Sequence, residues 1–379
     1  MQQNERDLFG ECTPQFNRDR IKQARELAGM TQQDLAKAVG VLQGSIAKIE
    51  NGRKFPSAKL IAAIAHHVRQ PLAFFTQESF LELGDGTLLF RAKANISRKQ
   101  EVEARRHAEV VFEFGLRLAD KFNSLPVAIA PLKEKPVAAA QLARKQIGLD
   151  EISPIPHLIR AVEKAGIFVL AIPSFEDRYA FAVWGGRDQK IPLIAVAEGA
   201  SGDRLRFSVA HELGHLVLHK GAFAGSKQVE VEAHEFTAEF LAPEKGIRRE
   251  LMLQQITLDR LGELKLRWGI SIQALLRRSF ELGVITERQH RYLLQQVSMR
   301  GWRMREPAEY DVPMEKPRLI RQMAERIYGE PLNYELIASE AHLSAENVKL
   351  LLERYASSAE THVPEVPSNV LRFPMAMER

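Results

Sequence analysis

Apolar residues recur at helical spacing through most of the chain and give way to strand-like patterning in one short region. Residues 17–75 predict four short helices. Arg20–Ala28 closes at Gly29, and Gln32–Val39 starts behind Thr31 as N-cap and closes at Gly40. Gln43–Glu50 stops at Asn51-Gly52, and a fourth helix follows Pro56-Ser57 with Leu60, Ile61, Ile64 and Ala65 at helical spacing. Gly84-Asp85-Gly86 breaks the chain. Residues 97–123 then predict a charged amphipathic helix with Val102, Val110, Phe114, Leu118 and Phe122 on its apolar side, and Pro126, Pro131 and Pro136 mark a linker.

From residue 138 the pattern changes. Helices over 138–147 and 156–165 lead into Ile167–Ile172, Tyr179–Trp184 and Ile191–Val196, each rich in β-branched or aromatic residues, which predict a small sheet. Two helices follow, over 203–219 and 227–241, and Pro243 ends the second. Residues 246–300 and 315–356 read as mostly helical, and the Ser/Pro/Glu-containing tail beyond Ala356 is expected to be loose.

Composition narrows the class. A length of 379 residues suggests two or three domains with sizeable cores, and 45% hydrophobic with 27% charged residues argues against wholesale disorder. The single cysteine, Cys12, excludes an internal disulfide framework and a metal site built mainly on thiolates, and it fits a reducing cytoplasm. No apolar run is long enough for a membrane span, and the N-terminus lacks a secretory layout, so a cytoplasmic protein without a membrane partner is expected. The net charge of +5 says little until it is divided. Residues 1–75 carry 11 Lys/Arg against 7 Asp/Glu, whereas residues 301–379 carry 10 against 13. A basic head of this kind points to nucleic acid.

The strongest chemical signal is His211-Glu212-Leu213-Gly214-His215, an H-E-x-x-H motif. Phe207, Ala210, Leu213 and Val217 have helical spacing, so the motif lies on a helix, where positions i and i+4 stack on one face. His211 and His215 therefore present two imidazoles to a common point, as tetrahedral Zn2+ requires, and Glu212 lies one position round. Zinc acidifies water and polarises a carbonyl; the carboxylate removes the proton and hands it to the leaving amine. A third ligand is needed from the next helix, which carries Glu230, Glu232, Glu235 and Glu239. Glu230 shares a face with His234 and could bind the metal while His234 supports the site from behind; Glu232, Glu239 and His234 itself are the competing choices.

These strands, the RFSVAHELGHLVLH helix and the E-x-E-A-x-x-F-x-A-E-x-L-x-P helix resemble the ImmA/IrrE-type metallopeptidases. That resemblance implies a reduced thermolysin-like (zincin) fold, His211, His215 and Glu230 as zinc ligands, and Glu212 as general base. The chain departs from the family's usual residues at His234 and Ala242. The stretch from Leu264 to Arg305 also resembles the segment beyond the peptidase helices in large fusions of this kind.

The head reads as a helix-turn-helix: a helix capped by Thr31, a tight turn at Gly40, and a third helix packed inward by Ile46 and Ile49. Gln43 is the foremost candidate for base reading, because its amide can bond adenine bidentately, with Gly44, Ser45 and Lys48 on the same helix. Gln32, Asn51, Arg53 and Lys54 are placed for backbone contacts. Over about 60 residues this head resembles the Cro/XRE-type repressor domain, with Leu42 in place of the usual Ser or Thr cap.

The expected fold class is α+β and mainly helical. Residues 1–80 form an all-α helix-turn-helix domain, 81–137 a helical linker and 138–245 a metallopeptidase domain of small sheet plus helices; 246–310 form a helical domain, and 311–379 a C-terminal helical module and tail. The function expected from the two resemblances is a transcriptional regulator that binds double-stranded operator DNA, expected as a homodimer because such heads read two half-sites. It carries a zinc endopeptidase that cleaves an XRE-type repressor, an antitoxin or its own chain in response to a stress or mobile-element signal. The alternative is a regulator whose peptidase-like domain only senses metal, ligand or partner.

Overall fold

A computed structural model describes residues 16–78, 97–122, 127–173, 180–186, 189–219 and 227–360. Cys12, the Gly84-Asp85-Gly86 break, Pro126, Tyr179 and the tail from 361 lie outside the described residues. The head is α1 (Arg18–Leu27), α2 (Gln32–Ala38), α3 (Gln43–Glu50) and α4 (Ala58–His67), followed by a 3-10 turn and the long α5 (Arg98–Asp120). Next come α6 (Pro136–Ile147), α7 (Leu158–Lys164), β1 (Phe168–Ile172), β2 (Ala180–Gly185), β3 (Ile191–Ala197), α8 (Gly202–Leu218) and α9 (Lys227–Leu241). The remainder is α10 (Glu244–Met252), α11 (Leu258–Trp268), α12 (Ile272–Glu281), α13 (Glu287–Met299), α14 (Leu319–Tyr328), α15 (Tyr334–Ala341) and α16 (Ala345–Glu353). Among the described residues no helix is long and apolar enough to cross a membrane. The molecule is thus mainly helical around one small sheet, as the periodicity predicts.

The sheet order is β1-β3-β2, with β1 parallel and β2 antiparallel to β3. Successive strand residues face opposite ways, and here each face feeds a different core. Phe168, Leu170, Phe181, Val183, Leu193 and Ala195 join a cluster with α5, the head and α14–α16. Val169, Ala182, Trp184, Ile194 and Val196 join another with α6–α13. Burial on both faces explains why the strands read as continuous apolar runs rather than as an alternation.

Within residues 81–137, expected as a helical linker, the described residues include α5 and the approach to α6, and both pack against the rest of the molecule. Ala108, Phe112, Phe114 and Leu118 of α5 are buried in the first core. The stretch before α6 is also fastened, since Leu132 N–H donates to the Val217 carbonyl at 2.8 Å and Pro136 occupies the first turn of α6. Helical periodicity shows that α5 has an apolar side without showing what covers it.

The head docks on α5 through charge. Arg20 makes a bidentate pair with Glu113 at 2.7 and 2.8 Å. Arg106 bridges Glu26 and Glu109 at 2.8 and 2.7 Å, and Gln23 donates to Glu109 at 3.2 Å. Burial by itself would raise the Glu113 carboxyl, but hydrogen bonds from Arg20 and Arg117 outweigh it and hold the group below the usual carboxylate range.

On the same side, α14–α16 join the first core, and Tyr355, just beyond α16, reaches β1. The Ala171 N–H donates to the hydroxyl of the fully buried Tyr355 at 3.2 Å. Glu163 heads α14, accepting from the backbone N–H groups of Arg318 and Leu319 at 3.0 Å. Burial outweighs these donors and pushes its carboxyl up to about 8.

Candidate metal centre and DNA-reading face

α8 and α9 meet beneath the sheet. Trp184 of β2 donates its indole N–H to the Leu216 carbonyl at 3.1 Å, which ties the active helix to an edge strand. Gly214 lets α9 come close: a Cβ there would lie 2.9 Å from the Phe236 ring. The result brings Glu230, in the first turn of α9, to the two histidines on α8.

The three side chains converge. Nε2 of His215 lies 3.1 Å from Nε2 of His211, and the Glu230 carboxylate oxygens lie 3.4 Å from His211 Nε2 and 3.6 Å from His215 Nε2. The donor atoms of this group lie within 4.8 Å of one another, a group able to hold a metal ion. A tetrahedral zinc ion with bonds of about 2.0–2.1 Å sets its ligand atoms about 3.3 Å apart. The donor set therefore fits the ion in both chemistry and spacing. Hydrogen bonding with His211 and then His215 holds the Glu230 carboxyl far below its ordinary range, the ionised state a ligand must have. His211, Glu212 and His215 are all buried.

The competing acidic residues are engaged elsewhere. Glu239 pairs with Arg278 and accepts from Gln141 at 3.0 Å, which makes it part of the core. Glu232 meets His219 at 2.9 Å and accepts from Gln228 at 2.8 Å. His234 lies against the ring of His211, with centroids 4.8 Å apart, and outside the convergent group. It lines a cleft of about 920 Å³ together with Phe207, Val231, Arg204, Ala274 and Arg277. The cleft thus opens beside the centre and falls in the size range of small-molecule and peptide-segment sites.

Sequence reasoning missed His219. It follows the last residue of α8, and its Nδ1 lies 3.1 Å from Nδ1 of His215. Burial holds its imidazole below the ordinary value. The signal was present, since His211, His215 and His219 continue the i, i+4 spacing by one further turn.

The head shows the reverse arrangement. The side chains of Thr31 and Asp34 cap α2 reciprocally, and Gly40, at φ +72°, makes the left-handed turn into α3. Ile46 and Ile49 point inward, while Gln43, Gly44 and Lys48 are exposed and Ser45 is half-buried. Gln43 donates to the Gln32 side-chain oxygen at 3.2 Å, Gln32 donates to Glu50 at 2.8 Å, and Glu50 is held by Arg25 at 2.6 Å. A buried ion pair thereby orients the amides on the outer face. No side chain caps α3 at Leu42, which is itself exposed. Asn51, Arg53 and Lys54 lie exposed just beyond α3.

Comparison with known families agrees with both halves. Residues 162–280 match the IrrE N-terminal-like domain, a metallopeptidase family, and residues 21–75 match the helix-turn-helix family. The chain carries an XRE-type helix-turn-helix domain and an ImmA/IrrE-like peptidase domain, and so combines a DNA-binding module with a peptidase-like one. No curated protein matches the chain.

Proposed function

We propose that the protein binds operator DNA through α2 and α3 and hydrolyses a peptide bond at a zinc centre formed by His211, His215 and Glu230. The observation that carries this reading is the mutual spacing of the three donor atoms, 3.1, 3.4 and 3.6 Å, beside the buried Glu212. Zinc held there lowers the pKa of water and polarises the scissile carbonyl. Glu212 would take the proton from the attacking water and deliver it to the leaving nitrogen, so that a C–O bond forms as the peptide C–N bond breaks and one carboxylate and one amine result. The adjoining cleft receives the substrate chain on the Phe207 and His234 side. The substrate is a repressor-type protein, an antitoxin or the chain itself, cut in response to a stress or mobile-element signal. On DNA, Gln43 reads a base edge with Gly44, Ser45 and Lys48 beside it, and Gln32, Asn51, Arg53 and Lys54 hold phosphates in a homodimer on two half-sites.

The test incubates purified, zinc-loaded protein with XRE-type repressors, its own chain included, and maps fragments by mass spectrometry. Discrete fragments from wild type and none from Glu212→Gln support the reading; identical patterns from the two sink it. The docking of the head on α5 favours a second reading, in which metal occupancy alters operator affinity without cleavage. That reading expects His211→Ala to change operator affinity while no fragment appears with any substrate.

A further inference from the structure

We propose that His219 and Glu232 are positioning residues that hold His215 in the tautomer whose bare Nε2 faces His211 and Glu230. The proposal rests on the zinc reading above. Three contacts run in line from the surface to the centre: Gln228 to Glu232 at 2.8 Å, Glu232 to Nε2 of His219 at 2.9 Å, and Nδ1 of His219 to Nδ1 of His215 at 3.1 Å. His219 is buried, and its backbone N–H donates to the His215 carbonyl at 3.0 Å, which fixes the two rings one helical turn apart.

Counting hydrogens settles the direction. A carboxylate only accepts, so the hydrogen between Glu232 and His219 sits on His219 Nε2. A neutral imidazole carries one N–H, so His219 Nδ1 is an acceptor. The contact between the two Nδ1 atoms then needs a hydrogen from His215 Nδ1; without it, two lone pairs would face each other at 3.1 Å. His215 is left with a bare Nε2, and that atom faces His211 and Glu230. His211 is oriented differently, by the rings of Phe207 and His234 on its flanks. The two histidines of the motif therefore rest on unlike supports, flanking rings at His211 and a hydrogen-bonded chain at His215. Partners of this kind typically change metal affinity 10- to 100-fold when removed.

The test measures zinc dissociation constants of the apo-protein by competition with a chromophoric chelator, and reads the His215 tautomer from long-range 15N couplings in the same metal-free sample. Wild type should show His215 protonated on Nδ1. His219→Phe keeps a ring but removes the acceptor, and should weaken zinc about 10- to 100-fold and give a tautomer mixture. His219→Gln, whose side-chain oxygen can accept the same hydrogen, should recover most of the affinity. Glu232→Gln lies on a half-exposed side chain that the fold tolerates, and should weaken zinc by a smaller factor. If the folded His219→Phe and Glu232→Gln proteins bind zinc within twofold of wild type, the positioning role is wrong while the metal reading stands. If wild type itself binds no zinc, the metal reading fails, and His215 protonated on Nε2 in that sample would overturn the relay as well.

Discussion

On α3 the amide of Gln43 stands in solvent and Gly44 has open space beside it, whereas on α8 the side chains of His211, Glu212 and His215 are at most 2% exposed. The head must meet a large, hydrated partner from outside, so its readers are on the surface and only their support is buried, in the Arg25–Glu50 pair. In the proposed function the centre holds a small ion and moves one proton, and low solvent access strengthens each interaction it would make. In both places a hydrogen-bonded chain links the surface to buried groups, Arg25–Glu50–Gln32–Gln43 in one and Gln228–Glu232–His219–His215 in the other. The two regions differ in what the chain delivers at its end: a surface amide or a buried lone pair.

The largest expected effect separates the regions. Glu212→Gln should lower peptide cleavage by about 10²–10⁴-fold while operator affinity in a fluorescence-anisotropy titration stays at the wild-type value. A parallel fall in DNA binding would mean that the halves are not chemically separable. Next in size is a substitution that acts on their seam. Arg20→Ala removes the bidentate partner of the buried Glu113 carboxylate, leaving only Arg117 on it, and should cost about 3 kcal/mol in urea unfolding, the low end for a broken buried pair. Replacing both partners, Arg20→Met with Glu113→Leu, should recover most of that stability. A smaller effect belongs to the reading face. Gln43→Ala should weaken operator binding by about 1–3 kcal/mol and leave zinc affinity unchanged.

A last expected effect is a pH dependence at two carboxyls of the same side of the sheet. Glu163 is raised from 4.5 to about 8 in the folded chain, so its contribution is complete below pH 4.5 and is lost as pH rises through about 8. Glu113 is depressed, so its contribution is present above its unfolded value and is lost as pH falls through its folded one. Glu163→Gln keeps an acceptor for the α14 N–H groups and should flatten the alkaline loss in thermal melts across pH 5–9, roughly the range that its shift defines. An unchanged alkaline limb in Glu163→Gln would show that another group governs the alkaline loss.

Much of the molecule was legible locally. Spacing alone places His211 and His215 on one helix face, and the turn residues place α2 and α3. The third donor was not decidable from sequence, because Glu230, Glu232, Glu239 and His234 share one helix. What separates them is who else is near: Arg278 and Gln141 engage Glu239, and His219 engages Glu232. The role of α5 was illegible for a related reason. Its partners in the head are 80–93 residues away in sequence, and an amphipathic pattern carries no address for the surface that will cover it.

The core shared by the head and α14–α16 bears on how the chain is made. A ribosome releases the head first and Tyr355 late, yet both belong to one cluster against one face of the sheet. The opposite face can close once the chain through Tyr310 has emerged, since Val297, Trp302 and Tyr310 are the last residues packed on its cluster. At ordinary elongation rates, the interval between release of α9 and release of Tyr355 is on the order of 10 s. During that interval the face of the sheet that carries Leu170 and Ile172 lacks its late-made neighbours. The head therefore gains its full set of core neighbours only when the late-made helices arrive, well after the peptidase layer has left the ribosome.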